Sequence, residues 1–550
     1  MLCPVPTSSL LTASKKCIVV ETVGIPFLVS PMCGDLADRG GVLSHHNLHG
    51  KAESRNGRAS TGVLGLDEVL AGGLPIDHLY LIEGDPGTGK TTLALQFLLE
   101  GVRRGERCLY VTLSESKHEL LGVAESHGWD ISGIPIYEMA PQEDEFTPEA
   151  QYTVFHPSDV ELADTTRSVL KRVEEVNPSR VVFDSLSELR MLARDPLRYR
   201  RQILGLKRHF ADRQCTVILL DDRTAEGNDL QLQSIAHGVI IMQSLEREFG
   251  VKRRRLEVRK MRGSRYREGY HDYTIEKGGV HVYPRLVASE HLSDFKRRPV
   301  LSGVRELDQL LGGGLDSGTS TLLIGPAGCG KSTVATRYAI SAAERGERAA
   351  MFTFDETAGT LLYRAAELGM PLKKYMENGL IHLEQVDPAE MSPGAFIVGL
   401  RDIVQKGKAK VVVIDSLNGF LNAMPGEDFL TLQLHEVLSY MNQQGVATIM
   451  TLAQHGFVGV GMQSPVDVSY LADCVLLFRY FEAKGEVRQA ISVVKKRSGH
   501  HERSIRELIF KNGGIAVGPT LRHFEGVLTG VPKHTGVAEE LSGGSNTQAD

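Results

Sequence analysis

Two glycine-rich segments of this 550-residue chain have residue types and spacing that could bind phosphate. The first begins at Gly84 and reads GDPGTGKTT, and the second begins at Gly325 and reads GPAGCGKST. Both satisfy the pattern G-x-x-x-x-G-K-[ST], in which the glycines let backbone N–H groups curl around phosphate oxygens. A helix that starts directly after such a loop aims its first amides at the same anion. The pattern therefore predicts two separate phosphate-binding loops in one chain.

The lysine of this pattern reaches the β- and γ-phosphates of a nucleotide, and the hydroxyl residue after it binds Mg²⁺. We therefore predict that the chain binds ATP and Mg²⁺ at two sites. The predicted nucleotide-binding residues are Gly84, Gly87, Thr88, Gly89, Lys90, Thr91 and Thr92 in the first loop and Gly325, Gly328, Cys329, Gly330, Lys331, Ser332 and Thr333 in the second.

Two aspartates end apolar, β-branched runs further along the chain. Asp184 ends the run RVVFD, and Asp415 ends the run VVVID. An acid at the end of a buried strand beside a phosphate loop holds the magnesium shell directly or through water. An aspartate that caps a following turn is the alternative interpretation. The predicted metal ligands are Thr91, Asp184, Ser332 and Asp415.

A second group of acids follows another apolar strand in each half of the chain. Asp355 and Glu356 stand side by side, where a carboxylate could orient or deprotonate the attacking oxygen. Ser114 and Glu115 occupy the matching positions of the first half, and a serine cannot act as a general base at neutral pH. We predict that Glu115, Asp355 and Glu356 are catalytic, and that ATP hydrolysis in the first half is weak.

The two halves repeat one another. The segment GVLGLDEVLAGGLP at Gly62 matches GVRELDQLLGGGLD at Gly303, and the two loops follow at the same separation. Matching landmarks in the same order predict a tandem duplication. The predicted parts are an irregular leader (1–55), a first domain (56–290), a second domain (291–530) and a disordered tail (531–550).

Strands and helices are predicted to alternate around these motifs. Apolar runs at 79–83 and 321–324 precede the loops, and segments with helical spacing at 93–100 and 334–343 follow them. Such alternation predicts an α/β fold class with two tandem domains, each a mostly parallel sheet flanked by helices. Ligands of such sheets bind at the carboxyl ends of the strands, where every motif above falls.

Composition narrows the class of protein. The net charge of −6, the single tryptophan and the 6% aromatic residues argue against nucleic acid as a partner. The seven cysteines are scattered without a C-x-x-C pair, which argues against a disulfide framework or a zinc site and fits the cytoplasm. No apolar run reaches the length of a membrane span, so we expect no membrane partner.

The doubled loops, the two DSL strand endings and the segment KMRGS (260–264) resemble the KaiC family of tandem RecA-like ATPases and autokinases. The segment FRYFEAKGEVRQAISVVKKRSGHHERSIRELIF (478–510) resembles the end of the second domain of that family. The resemblance implies a double-ring homohexamer with ATP at the subunit boundaries. It also implies that the cations of the K-x-R motif reach the ATP of the neighbouring subunit, where they stabilise the transferring phosphoryl group. These cations are Lys260, Arg262, Lys495 and Arg497.

The resemblance further implies ATP hydrolysis and serine/threonine autophosphorylation, with Asp355 as the base. Asp355 is one methylene shorter than the glutamate that the family uses at this position. Ser469 occupies the place of the first phosphoacceptor, and Tyr470 replaces the threonine that follows it in the family. Ser469 is therefore the predicted phosphoacceptor, and a serine at the start of a helix is the alternative interpretation.

The predicted role is that of a clock-type or signalling ring with a signalling protein as partner. The tail after Gly530 does not match the longer regulatory peptide of the clock protein, so a stress or signal-response role is equally compatible. Two other functions stay open. One is a RecA-group nucleic-acid ATPase, and the other is a regulatory ring that binds ATP with little turnover.

Overall fold

The structure is a computed structural model that describes residues 57–138, 157–193, 195–222, 230–246, 250–422, 430–454, 470–512, 514–528 and 532–535. The predicted leader (1–55) and most of the predicted tail lie outside the described residues.

The first half of the described chain alternates strands with helices, as its motifs predict. Its strands are β1 (Arg58–Ala59), β2 (Leu74–Pro75), β3 (Leu79–Gly84), β4 (Cys108–Thr112), β5 (Ile136–Glu138), β6 (Arg180–Asp184), β7 (Thr216–Asp222), β8 (Gly238–Leu245), β9 (Arg253–Met261), β10 (Tyr270–Glu276) and β11 (Gly279–Tyr283). Its helices are α1 (Leu66–Val69), α2 (Lys90–Arg103), α3 (Lys117–His127), α4 (Pro157–Val176), α5 (Leu186–Ala193), α6 (Pro196–Asp212) and α7 (Leu230–Ile235).

Nine of these strands form one sheet in the order β11-β10-β9-β8-β3-β7-β6-β4-β5. The six strands from β8 to β5 in this order pair in parallel. Strands β9, β10 and β11 pair antiparallel and extend the sheet beyond β8. Strand β3, which leads into the first glycine-rich loop, lies in the middle of the sheet, between β7 and β8.

The second half has the same plan. Its strands are β12 (Pro299–Val300), β13 (Leu315–Asp316), β14 (Ser320–Gly325), β15 (Ala349–Thr353), β16 (Ile381–Gln385), β17 (Val411–Asp415), β18 (Ala447–Ala453), β19 (Cys474–Ala483), β20 (Glu486–Lys496), β21 (Ile505–Lys511), β22 (Gly514–Thr520), β23 (Phe524–Glu525) and β24 (Lys533–His534). Its helices are α8 (Arg305–Leu310), α9 (Lys331–Glu344), α10 (Ala358–Glu367), α11 (Leu372–Glu377), α12 (Pro393–Gln405), α13 (Leu417–Asn422) and α14 (Leu430–Gln443).

The second sheet runs in the order β16-β15-β17-β18-β14-β19-β20-β21-β22, with an antiparallel extension formed by β20, β21 and β22. The two halves are therefore two copies of one α/β plan, and the predicted fold class is confirmed.

Each parallel sheet is buried on both faces, which explains its nearly continuous apolar strands. Alternate residues of β3 point to opposite faces of the sheet. On one face, Tyr80 and Ile82 pack in a core with Leu93 of α2. Leu79 packs in the other core with Ile203 of α6. Within the described residues, no helix combines the length and the apolar character needed to cross a membrane.

Polar contacts join the two halves. Glu68 accepts hydrogen bonds from Arg267 Nη1 at 2.8 Å and from Arg401 Nη1 at 2.9 Å, so one carboxylate of the first half contacts an arginine of each half. The backbone N–H of Gly394, in the first turn of α12, donates to Asp272 Oδ2 at 2.8 Å.

The structure differs from the predicted disordered tail at residues 532–535. Strand β24 pairs antiparallel with β23, and Thr535 N donates to His523 O at 2.8 Å. The ring of His534 lies 5.0 Å from the ring of Phe524. This aromatic contact is the interaction that the polar composition of the tail did not indicate.

Candidate nucleotide sites

The first phosphate loop joins the end of β3 to the start of α2. Gly89 caps α2 in the left-handed conformation, with φ 91°. Lys90 Nζ donates to Gly84 O at 2.8 Å and to Asp85 O at 3.2 Å, so its charge lies across the mouth of the loop. Gly87 has φ 78°, and a Cβ built on it would meet no atom within 4 Å. There is therefore open space beside this turn of the loop.

The second loop repeats the capping glycine and the lysine contacts. Gly330 caps α9 with φ 101°, and Lys331 Nζ donates to Gly325 O at 2.9 Å and to Pro326 O at 2.6 Å. Cys329 Sγ donates to Pro326 O at 2.9 Å, and burial raises the pKa of this thiol. The predicted loop residues of each half thus come together at the carboxyl end of the central strand.

Both loops pack against the antiparallel extension of their own sheet. A Cβ on Gly89 would lie 2.6 Å from Ile275 Cδ1, a side chain of β10. A Cβ on Gly330 would lie 2.6 Å from Phe510 Cζ, a side chain of β21. The positive φ and the facing side chain both favour glycine at these positions, so each loop lies against its extension.

The strand-ending aspartate of the first half lies beside the hydroxyl of the loop. Thr91 Oγ1 donates to Asp184 Oδ2 at 2.8 Å, and the phenol of Tyr110 donates to the same oxygen at 2.6 Å. Burial raises the pKa of Asp184, although both hydroxyl groups oppose that shift. A hydroxyl and a buried carboxylate in contact form an oxygen donor set of the kind that Mg²⁺ prefers.

In the second half the supporting hydroxyl comes from a different strand. Thr451 on β18 donates to Asp415 Oδ1. The position of Tyr110 is taken by Met351, which has no hydroxyl group. Met351 lies on β15 beside Val413, as Tyr110 lies on β4 beside Val182. Each aspartate therefore keeps a buried hydroxyl donor, and sequence reasoning missed both donors because they come from neighbouring strands.

Glu115 lies in the first site with one carboxylate oxygen lacking a partner. Its Oε2 is buried and has no hydrogen-bond partner among the described residues. Burial, followed by the nearby charge of Asp184, raises the pKa of Glu115 to about 7. Its backbone is fixed, because Glu115 N donates to Thr112 Oγ1 at 3.0 Å and helix α3 begins at the capping residue Ser116. A carboxylate with this pKa can accept a proton near neutral pH.

The acids of the second site are held by other side chains. Glu356 Oε2 accepts a hydrogen bond from Arg364 Nη2 at 2.8 Å. Burial raises the pKa of Glu356, and the charge of Arg364 opposes the shift. Asp355 Oδ2 accepts a hydrogen bond from Ser416 Oγ. The two copies therefore differ: within the described residues, one carboxylate oxygen of Glu115 has no hydrogen-bond partner, whereas both Asp355 and Glu356 have partners.

The predicted cations of the first half lie at the amino-terminal ends of the parallel strands, whereas the phosphate loop lies at their carboxyl ends. Lys260 pairs with Val239 at the start of β8, and its Nζ donates to Gln233 O. Arg262 is exposed and donates to Ser234 O at 2.7 Å. Val239 lies beside Leu81 of β3, which is three residues, or roughly 10 Å, from Gly84. The structure therefore does not bring these cations to the loop of their own half.

The second half repeats this separation. Lys495 pairs with Val475 near the start of β19, and Arg497 is exposed with its Nη1 3.4 Å from Asp473 Oδ1. Arg497 Nη2 also donates to the carbonyl of Tyr470 at 3.0 Å. The predicted phosphoacceptor Ser469 lies outside the described residues, and its neighbour Tyr470 is exposed.

The structure adds acids to the first site that sequence reasoning did not consider. Asp221 and Asp222 end β7, and Asp222 Oδ1 forms an ion pair with Lys90 Nζ at 2.7 Å. Asp221 forms an ion pair with Arg190, while burial raises its pKa to about 6. The pair of aspartates directly after the apolar run TVILL could have predicted acids at this site, because parallel strands beside β3 have their carboxyl ends on the same side of the sheet as the loop.

Comparison with known proteins supports the assignment by family. A family model described as KaiC, an ATPase, matches twice, at residues 59–287 and 300–522. The chain is 27% identical over 492 residues to the circadian clock oscillator protein KaiC of Picosynechococcus sp., covering 87% of this chain and 93% of the relative. It is 27% identical over 500 residues to the circadian clock protein KaiC3 of Synechocystis sp., covering 88% and 97%. It is 26% identical over 492 residues to the KaiC of Synechococcus elongatus, covering 87% and 92%.

The two matched segments cover most of the chain, and each contains one complete phosphate loop on the central strand of its sheet. The resemblance inferred from the motifs is confirmed, and the chain belongs to the KaiC family of ATP-binding ATPases.

Proposed function

We propose that this protein is a MgATP-dependent ATPase and serine autokinase that works as a ring and serves a clock-type or other signalling output. The loop residues named above bind ATP, and Thr91, Asp184, Ser332 and Asp415 hold Mg²⁺. Glu115, Asp355 and Glu356 orient or deprotonate the attacking oxygen. Three relatives with the name of circadian clock proteins support the signalling role.

One observation carries the ring part of the proposal. In both halves the cations lie at the sheet edge opposite the phosphate loop of the same half. A cation that acts on phosphate from this edge must act on the loop of another chain. Lys260, Arg262, Lys495 and Arg497 would then supply charge across a subunit boundary, and activity would depend on assembly into a homohexamer.

The autokinase part rests on the second half. Ser469 precedes Tyr470, whose carbonyl accepts a hydrogen bond from the proposed trans cation Arg497. A serine next to such a cation would lie at the boundary where the ATP of the neighbouring chain is proposed to bind. A cytoplasmic location is part of this proposal, supported by the four buried and free cysteines among the described residues.

The test is incubation of the purified full chain with γ-labelled ATP, followed by measurement of released phosphate and of label on the protein. We expect both, with the label on Ser469 by peptide mapping. The Ser469→Ala variant should lose the label, whereas Ser132→Ala, which removes an exposed hydroxyl of the first half, should keep it. Equal labelling of Ser469→Ala and parent would refute the acceptor site.

A second candidate function is a regulatory ring that binds ATP with little turnover. The ion pair between Glu356 and Arg364 favours it, because this acid already has a partner. Tight nucleotide binding without released phosphate or protein-bound label in the same experiment would select this function. Stimulation of turnover by added DNA would instead select a nucleic-acid ATPase.

A further inference from the structure

The lysine of the first loop has a carboxylate partner at the position where phosphate must bind. Lys90 Nζ lies 2.7 Å from Asp222 Oδ1, with the two side chains 9% and 29% exposed. Asp222 stands on β7 directly beside Gly84, the first residue of the loop. The ion pair therefore spans the gap between two neighbouring strand ends.

In the part of the chain that the structure describes, the second loop has no such pair. Its equivalent strand position beside Gly325 is Ala453 on β18. Lys331 Nζ contacts the carbonyls of Gly325 and Pro326 and the sulfur of Cys329, and it forms no ion pair with a carboxylate in the described part of the chain. The register thus identifies Asp222 and Ala453 as one position with opposite chemistry in the two copies.

The neighbouring acid does not compete for the lysine. Asp221 pairs with Arg190, and its Oδ1 lies 3.5 Å from Ser187 Oγ. Ser187 Oγ lies 3.4 Å from Asp222 Oδ2 and leaves Asp222 Oδ1 to Lys90. Asp222 is therefore placed to interact with the loop lysine.

A nucleotide needs the same ammonium group. The lysine of this loop type binds the β- and γ-phosphates, so phosphate oxygens compete with Asp222 Oδ1 for Lys90 Nζ. Once displaced, the carboxylate stays beside the phosphates and repels them, because both are negative and the site is partly buried. A divalent cation on the phosphates reduces that repulsion.

We propose that Asp222 competes with the nucleotide for Lys90 and makes the first site selective for MgATP over metal-free ATP. The second site, with Ala453 at this position, binds both forms with more similar affinity. This inference rests on the proposed binding of ATP by both loops and adds a selectivity that the two loops do not share.

The only tryptophan of the chain, Trp129, reports on the first half. Energy transfer from Trp129 to a fluorescent methylanthraniloyl ATP analogue measures binding to the full-length protein, in Mg²⁺ or in EDTA. We expect Asp222→Ala to bind the metal-free analogue about tenfold more tightly than the parent, the size of one charge-assisted contact. Affinity in Mg²⁺ should change less.

Three further variants make the experiment specific. Asp222→Asn keeps the shape and removes the charge, so it should behave as Asp222→Ala does. Ala453→Asp should weaken metal-free binding at the second site about tenfold, read as total bound analogue by equilibrium dialysis. Asp212→Ala, which removes an exposed carboxylate at the end of α6, should match the parent.

The outcomes separate this inference from the function on which it rests. Equal metal-free affinity in the parent and Asp222→Asn, with binding in Mg²⁺ intact, would overturn the selectivity and leave the ATP site in place. No binding of the analogue to any variant in Mg²⁺ would overturn both.

Discussion

Glu115 and Asp184 are two carboxylates at neighbouring strand ends, and the charge of Asp184 adds to burial in raising the pKa of Glu115 to about 7. Glu115 is therefore protonated below neutral pH in the nucleotide-free protein and becomes a base above it. No arginine or lysine forms an ion pair with Glu115 among the described residues, whereas Arg364 pairs with Glu356 in the second copy. The glutamates Glu115 and Glu356 consequently lie in different electrostatic settings.

The first prediction concerns the pH dependence of turnover at the first site. In an Asp355→Asn/Glu356→Gln background, kcat/KM for ATP should fall about tenfold per pH unit below an apparent pKa near 7, since it reports groups of the free enzyme. Steady-state phosphate release between pH 5.5 and about 8.5 checks this. Glu115→Gln should remove the acidic limb together with most of the activity. A flat pH profile in the Asp355→Asn/Glu356→Gln protein would contradict the role of Glu115 as a base.

The second prediction concerns Arg364. Its charge lowers the pKa of Glu356 against the effect of burial, so Arg364→Val should raise that pKa further. The acidic limb of second-site turnover, measured in a Glu115→Gln background, should then move to higher pH. Lys373→Ala removes an exposed positive charge from the next helix and serves as the control. If Arg364→Val left the limb in place, Glu356 would not be the titrating acid.

The third prediction concerns Tyr110, whose phenol donates to Asp184 Oδ2 at 2.6 Å. Tyr110→Phe leaves that buried carboxylate with one donor fewer and should cost about 1–3 kcal/mol of the free energy of unfolding. It should also weaken Mg²⁺ binding, because the pKa of Asp184 rises. Urea unfolding and a magnesium titration of nucleotide binding measure the two effects. Tyr363→Phe, at an exposed ring, should change neither, and wild-type behaviour of Tyr110→Phe in both assays would count against the assigned role.

The fourth prediction tests action across a subunit boundary. A chain with Lys260→Ala and Arg262→Ala should lose most first-site turnover, on the order of a thousandfold if the pair acts as a trans cation does in other phosphoryl-transfer enzymes. A Lys90→Ala chain should also be inactive at the first site. Subunits exchanged between the two proteins should regain activity, because an intact loop then meets intact cations.

The control for mixing is Arg259→Ala, which removes an exposed arginine of the same strand that pairs with Glu257. It should remain active alone. Mixed assemblies that form, by size-exclusion chromatography and light scattering, yet stay inactive would rule out action of these cations across the boundary.

The sequence predicts local features of this protein well. Gly84, Lys90 and Thr91 lie within one loop and the first turn of one helix, so their contacts follow from their order in the chain. The alternation of apolar strands and helices likewise predicts the α/β plan, because a parallel sheet buried on both faces needs both.

Contacts between strands distant in the chain were not predictable in the same way. The hydroxyl donors Tyr110 and Thr451, and the ion pair of Asp222 with Lys90, depend on which strands become neighbours. Ser114 predicted that the two sites differ, but it did not predict that the partners of Glu115 and Glu356 differ, because Arg364 has no charged counterpart at Val123 of the first copy.

The close contact of each loop glycine with the antiparallel extension has a thermodynamic consequence. Gly89 touches Ile275 of β10, and β10 pairs with β9, the strand that carries Lys260. A neighbouring chain that shifts β9 would therefore shift the wall of the phosphate cradle. Any factor by which nucleotide occupancy tightens association between chains must equally tighten nucleotide affinity on association. Nucleotide occupancy of the two loops and the number of associated chains would then be set by one coupled equilibrium.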